Sequence, residues 1–238
     1  ARRVAVVISL IVGVIFGSQF NANWSEILLM FNAQSFGTTD PQFGLDNGFY
    51  VFVLPGLKLV LAAVAMLLGV GLVFSVVTHV LMGGIRITMP VNGRGLFSIT
   101  KRCRRQLGIW LMLNMFAWAV RQMIGVFDQL TVQGSRITGA SYTAVHANIP
   151  VTFIMAALTA ILGVVLGIWL MRSHTLEGQA SIGVRASAAL KAWRVPVTSI
   201  AVVVVVGLVL TVAWPVLLQR FRVNPNAQEM ESTYIQRN

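Results

Sequence analysis

The chain has 238 residues, of which 56% are hydrophobic and 11% charged, with eighteen Lys and Arg against seven Asp and Glu. A soluble domain carries roughly 25% charged residues, so this composition excludes an ordinary soluble core and points to lipid as the solvent. The net charge of +11 would suggest nucleic acid in a soluble protein. Here the basic residues fall between apolar runs, as topogenic charge facing anionic headgroups does, and no nucleic-acid partner is expected.

Five apolar runs read as membrane-spanning helices: 4–20, 49–82 with its apolar core at Gly56–Met82, 107–127, 149–171 and 195–218. A helix needs about 20 apolar residues to cross the hydrocarbon layer, and only a helix satisfies its own backbone polar groups there. The expected fold is therefore all-α, a polytopic helical membrane protein with about five spans over residues 1–218. Residues 219–238 would begin an extracytoplasmic segment.

Orientation follows from the connections. Arg2 and Arg3 precede the first span; Arg86, Arg94, Lys101, Arg102, Arg104 and Arg105 lie in the 83–106 connection, and Arg172, Arg185, Lys191 and Arg194 in 172–194. The alternate connections hold only Arg136, Arg220, Arg222 and Arg237, together with six of the seven acids. Because basic residues stay in the cytoplasm, the N-terminus is expected inside and the C-terminus outside, in a cell membrane.

The connections have structure of their own. Trp24, Ile27, Leu28 and Phe31 share one helical face, as in a helix lying in the interface. The following residues, Gly37, Asp40-Pro41 and Asn47-Gly48, have turn chemistry. The stretch 176–194 reads as a short helix on the inner surface. Cys103 stands alone in KRCRR and is expected to be a free thiol.

Within the spans, Gly163 and Gly167 form a GxxxG, read as close helix packing rather than a dedicated oligomer face. Lys58 and Arg121 are the intramembrane charges, and Asn114 is a polar companion. Such groups are candidate functional sites, but both charges lie near helix ends, where snorkelling is the simpler reading; Arg121 also has Asp128 on its own face. His79, His146 and His174 lie in three separate regions and make no common metal site. No catalytic or phosphate-binding motif appears, so neither an enzyme nor a cofactor is expected.

Four boundary motifs then point to a family: FGTTDPQFGLDNGFYVFVLP (Phe36–Pro55), THVLMGGIR (Thr78–Arg86), GASYTAVHANIP (Gly139–Pro150) and FRVNPNAQEMESTYIQRN (Phe221–Asn238). In this order they resemble the membrane portion of uncharacterised protein family zero-one-eight-two, large multi-pass bacterial proteins. The resemblance implies about seven spans followed by a large extracytoplasmic domain. Two places depart from the family pattern: Ala144, where an acid is usual, and Trp118-Ala119-Val120-Arg121-Gln122, where Trp-Leu-Asp-Arg-Tyr is usual.

The expected function is a membrane module that anchors an extracytoplasmic domain, with Asp40, Asp46, Tyr50 and Tyr142 forming an outer-face platform. Its expected partners are anionic lipids and a second copy or other membrane subunits. The alternative is a transporter or conduit for lipids or other hydrophobic envelope components. Pro55 and Pro215 are expected near helix ends, which argues against the broken helices such a carrier uses.

Overall fold

A computed structural model describes residues 2–87, 97–130, 141–173 and 182–226. The order is α1 (Arg2–Phe31), α2 (Leu54–Leu81), β1 (Ile85–Ile87), β2 (Phe97–Ile99), α3 (Lys101–Gly125), α4 (Ile149–Arg172), α5 (Ile182–Leu208) and α6 (Trp214–Leu218). The described residues are mostly helical, with an antiparallel ladder in which Ile85 pairs with Ile99 and Ile87 with Phe97. Among the described residues, four segments are long and apolar enough to cross a membrane: Phe49–Leu81, Lys101–Leu130, Ala144–Arg172 and Trp193–Asn226. The first expected span, 4–20, lies within α1, which makes the count of five approximate.

The chain divides into two compact units, Ala1–Val64 and Ala65–Asn238. In the first, α1 is two helices that meet at a kink, at Asn23 with φ −124° and ψ 22°, between the expected span and the expected interfacial helix. Beyond that break Trp24, Leu28 and Phe31 are exposed, on the face their spacing predicts. Gly56 passes close to α1: a Cβ there would lie 2.8 Å from the Glu26 carbonyl oxygen and from Met30 Cβ.

In the second unit the end of α2 is a Schellman motif. Gly83 takes φ +70°, the Gly84 N–H reaches the His79 carbonyl at 2.7 Å, and the Gly83 N–H reaches that of Val80 at 3.3 Å. These bonds satisfy carbonyls that the helix end would otherwise orphan. Thr100 then starts α3 as its N-cap, accepting from the Cys103 N–H at 3.4 Å. Ile99, Cys103 and Leu107 are buried together, with Leu72, Ile85 and Leu170 against them. The thiol is free, as expected, and enclosed.

α3 and α4 pack through small residues. A Cβ on Gly163 would stand 2.5 Å from Met115 Cβ, one on Gly167 2.4 Å from Met112 Cγ, and one on Gly108 2.9 Å from the Gly167 carbonyl oxygen. GxxxG thus serves an approach inside the chain, where two backbones meet without side chains between them.

Two expectations fail. The stretch 176–194 is not a separate surface helix: α5 starts at Ile182 and runs through Pro196 to Leu208, while residues 174–181 lie outside the described ones. Pro215 is not at a helix end either, because the helical segment continues to Asn226. Four prolines follow a wider turn, whereas Pro196 lies within regular α-helix. Five-residue π-helical turns, Phe49–Val53, Ala144–Asn148, Val209–Ala213 and Gln219–Val223, each stop two residues before a proline: Pro55, Pro150, Pro215 and Pro225. In each, the residue before the proline donates to the carbonyl five residues back. A proline ring strikes the carbonyl four residues earlier in a regular helix. The wider turn sets that carbonyl back, so the helix runs on past Pro55, Pro150 and Pro215.

Candidate functional site

The loop between α1 and α2 is built on two carboxylates. Asp40 is buried and accepts from the backbone N–H groups of Gln42 and Phe43 at 2.7 Å, from that of Leu45 at 3.0 Å, and from the Tyr50 hydroxyl at 2.8 Å. Burial is the largest influence on its pKa and raises it; the donors Phe43, Tyr50, Gln42 and Leu45 together outweigh it and hold the carboxyl below its ordinary value. Gly44 at φ +68° closes the turn beneath it.

Asp46 ties the loop's two ends together. It accepts from the Ser35 hydroxyl, from the Phe36 and Gly37 N–H groups at 3.0 and 3.1 Å, and from the Gly48 N–H at 2.7 Å. Its own carbonyl accepts from the Phe49 N–H at 2.9 Å, at the entry to the helical turn leading into α2. The Ser35 hydroxyl, with the Phe36 and Gly48 N–H groups next, lowers its pKa to about 2. Gly48 is obligatory, since a Cβ there would fall 2.1 Å from the Gln34 carbonyl oxygen. Asp40, Asp46 and Tyr50 therefore belong to one hydrogen-bonded loop, which their turn chemistry alone did not reveal.

Tyr142 belongs to the second unit. Its ring stacks on His146 at 4.1 Å between centroids with 14° between planes, and His146 Nδ1 donates to the Tyr142 carbonyl at 3.1 Å. Beside them the Thr143 hydroxyl donates to Gln219 Oε1. Ala144, Ala147 and Val223 are buried, and Asn148 Nδ2 donates to Gln129 Oε1 at 3.3 Å. One end of this unit thus joins the start of α4 to the turns Val126–Leu130 and Gln219–Val223.

The intramembrane polar residues have structural geometry. Asn114 Nδ2 donates to the Trp110 carbonyl of its own helix at 2.8 Å and to the Leu68 carbonyl of α2 at 3.2 Å. Arg121 and Lys58 are exposed, each within its own unit. The neighbouring Gln122 crosses to α4, its Nε2 donating to Thr159 Oγ1 at 3.0 Å. Among the described residues no group of His, Cys, Asp and Glu is arranged to hold a metal ion.

Sequence reading missed Arg104. It was counted with the topogenic cations, yet it is fully buried and its Nη1 donates to the Ser173 carbonyl at the end of α4. The signal was its helical phase: Arg104 shares a face with Leu107 and Gly108, which are also buried, whereas Arg102 and Arg105 do not. No such signal exists for the Thr143–Gln219 contact.

The match to known proteins extends over this whole arrangement. The model of an uncharacterised protein family, UPF0182, matches residues 1–238. The chain belongs to UPF0182. It is 79% identical over 238 residues to a UPF0182 protein of Bifidobacterium adolescentis, covering 100% of this chain and 22% of that protein. It is 32% identical over 237 residues to one from Corynebacterium glutamicum and 32% identical over 242 residues to one from Corynebacterium diphtheriae, each match again covering 100% of this chain and 22% of the relative. The chain thus spans about a fifth of the length of these UPF0182 relatives. No solved structure matches it.

Proposed function

We propose that this UPF0182 chain is the membrane module of a multi-pass cell-membrane protein, with spans near 4–20, 49–82, 107–127, 149–171 and 195–218 and an extracytoplasmic segment from 219. Its N-terminal end faces the cytoplasm and its C-terminal end the outside. It performs no reaction itself; it anchors an extracytoplasmic domain and takes part in a cell-envelope assembly with a second copy or other membrane subunits.

The observation that carries this reading is the loop from Ser35 to Tyr50. Its order comes from two carboxylates and main-chain donors instead of an apolar core, as suits a preformed polar surface on the acid-rich side of the chain. The Tyr142–His146 stack, on the same predicted side, supports it.

The test is the level of assembled full-length protein on blue native electrophoresis. Asp40→Ala, Asp46→Ala and Tyr142→Ala lower it, and Lys58→Ala and Arg121→Ala do not. Wild-type levels in all five variants overturn the reading.

One observation favours the alternative, a conduit for lipids or other hydrophobic envelope components. The π-helical turn Val209–Ala213 interrupts the hydrogen-bond ladder inside the apolar segment Trp193–Asn226, as discontinuous carrier helices do. Loss of lipid flux in reconstituted vesicles on Pro215→Ala, with assembly intact, would select it.

A further inference from the structure

α3 presents two unlike faces at its first turns. Cys103, Arg104, Leu107 and Gly108 are buried against the rest of the unit. Lys101, Arg102 and Arg105 are exposed outside that face, followed along the same strip by exposed Ile109, Leu113 and Phe116. At 100° per residue these six positions fall within about a third of the helix circumference. From Arg105 to Phe116 the strip runs about 16 Å, close to the depth of one leaflet's hydrocarbon.

We propose that this strip is a binding site for one anionic phospholipid, with the phosphate held by Lys101, Arg102 and Arg105 and an acyl chain along Ile109, Leu113 and Phe116. The site rests on the reading that α3 spans the membrane with its N-terminus at the cytoplasmic leaflet, and it adds a ligand class and a location to it.

Charge complementarity selects the occupant. Within Ala65–Asn238 the one acid among the described residues is Asp128, at the opposite end of α3. The connection 83–106 contains no acid at all. Arg104 turns inward to the end of α4, which locks the rotation of the helix and keeps its three neighbours outward. A cation near an anionic leaflet contributes about 1 kcal/mol, and three on one helix face concentrate that attraction on a single headgroup. The apolar strip beneath excludes a soluble phosphate as the natural occupant, because such a ligand would leave it uncovered.

The experiment is native mass spectrometry of the full-length protein in neutral detergent with phosphatidylglycerol or phosphatidylcholine. Wild type retains phosphatidylglycerol in preference to phosphatidylcholine. Combined Lys101→Gln, Arg102→Gln and Arg105→Gln cuts that retention by roughly tenfold or more, whereas Arg220→Gln with Arg222→Gln at the other end leaves it unchanged. Equal retention by the triple variant overturns the site.

A second measurement needs no variant. Photoactivatable phosphatidylglycerol crosslinks wild-type protein at residues 101–116; crosslinks confined to other segments overturn the site. Alkaline carbonate extraction of the same membranes separates the two readings, because protein released by carbonate defeats the membrane reading itself, and retained protein without lipid selectivity defeats only the site.

Discussion

Arg104 in the first turn of α3 donates to the main-chain carbonyl of Ser173, where α4 ends. The last carbonyls of a helix lack partners within it and carry the negative end of its dipole. A buried guanidinium answers both, and it couples the start of one helix to the end of the next.

Arg104→Met should therefore destabilise the second unit. A hydrogen bond to a charged group contributes about 1.5–3 kcal/mol, and the thermal midpoint of the purified protein in detergent should fall accordingly. Arg104→Lys should recover only part of the loss, since an ammonium lacks the fork geometry. The exposed Arg105→Met, one residue away, should leave the midpoint unchanged.

The α3–α4 approach predicts a graded series. Gly167→Ala places a Cβ against both Met112 and the Gly108 carbonyl oxygen. The methionine yields, but the carbonyl does not, so a cost of about 1–3 kcal/mol is expected from overpacking. Gly125→Ala has nothing within 4 Å of its Cβ and should cost nothing. Thermal unfolding of the two variants side by side checks the contrast.

The α1–α2 loop should be acid-sensitive in a defined window. The Asp46 carboxyl sits at about 2 in the folded loop, below the roughly 3.9 of a free aspartate. A depressed folded pKa stabilises the loop above the unfolded value, and that contribution is lost as pH falls from about 4 through 2. Proteolytic nicking between Ser35 and Gly48 should rise over that interval. Asp46→Asn should show the raised nicking already at pH 7, with no further acid step from this site.

The π turn before Pro150 predicts a change of register. Pro150→Ala restores a main-chain donor and lets residues 144–148 relax to a regular helix. Removing the extra residue from the turn rotates everything before it by about 100°, which carries Thr143 away from Gln219. Paired cysteines at 143 and 219 should form a disulfide readily in the parent and far more slowly with Pro150→Ala. Equal rates would show that the turn does not depend on its proline.

Much of this was visible before any coordinates. The charge-poor runs, the alternation of basic connections and the Gly-Asp-Pro punctuation around Asp40 identify a helical membrane protein and its boundary loops. The turn residue Gly37 was legible because a positive φ selects glycine locally. The pairing of Gly163 and Gly167 was legible as a packing surface, though not the helix it would meet. Asp40 and Asp46 were legible as loop acids, but not the donors around them, because Ser35 and Tyr50 reach them only once the loop has closed.

Solvent class, helical periodicity and turn chemistry are properties of neighbouring residues, and the free energy that sets them is local. For that reason the order of residues was enough to settle that this chain is built of apolar helices joined by polar loops. The burial of Arg104, the crossing of α3 against α4 at three glycines and the bond from Thr143 to Gln219 depend on groups tens of residues apart. Which of the four basic side chains at the start of α3 turns inward was decided by packing: that choice costs or gains only through what stands opposite it in the folded chain.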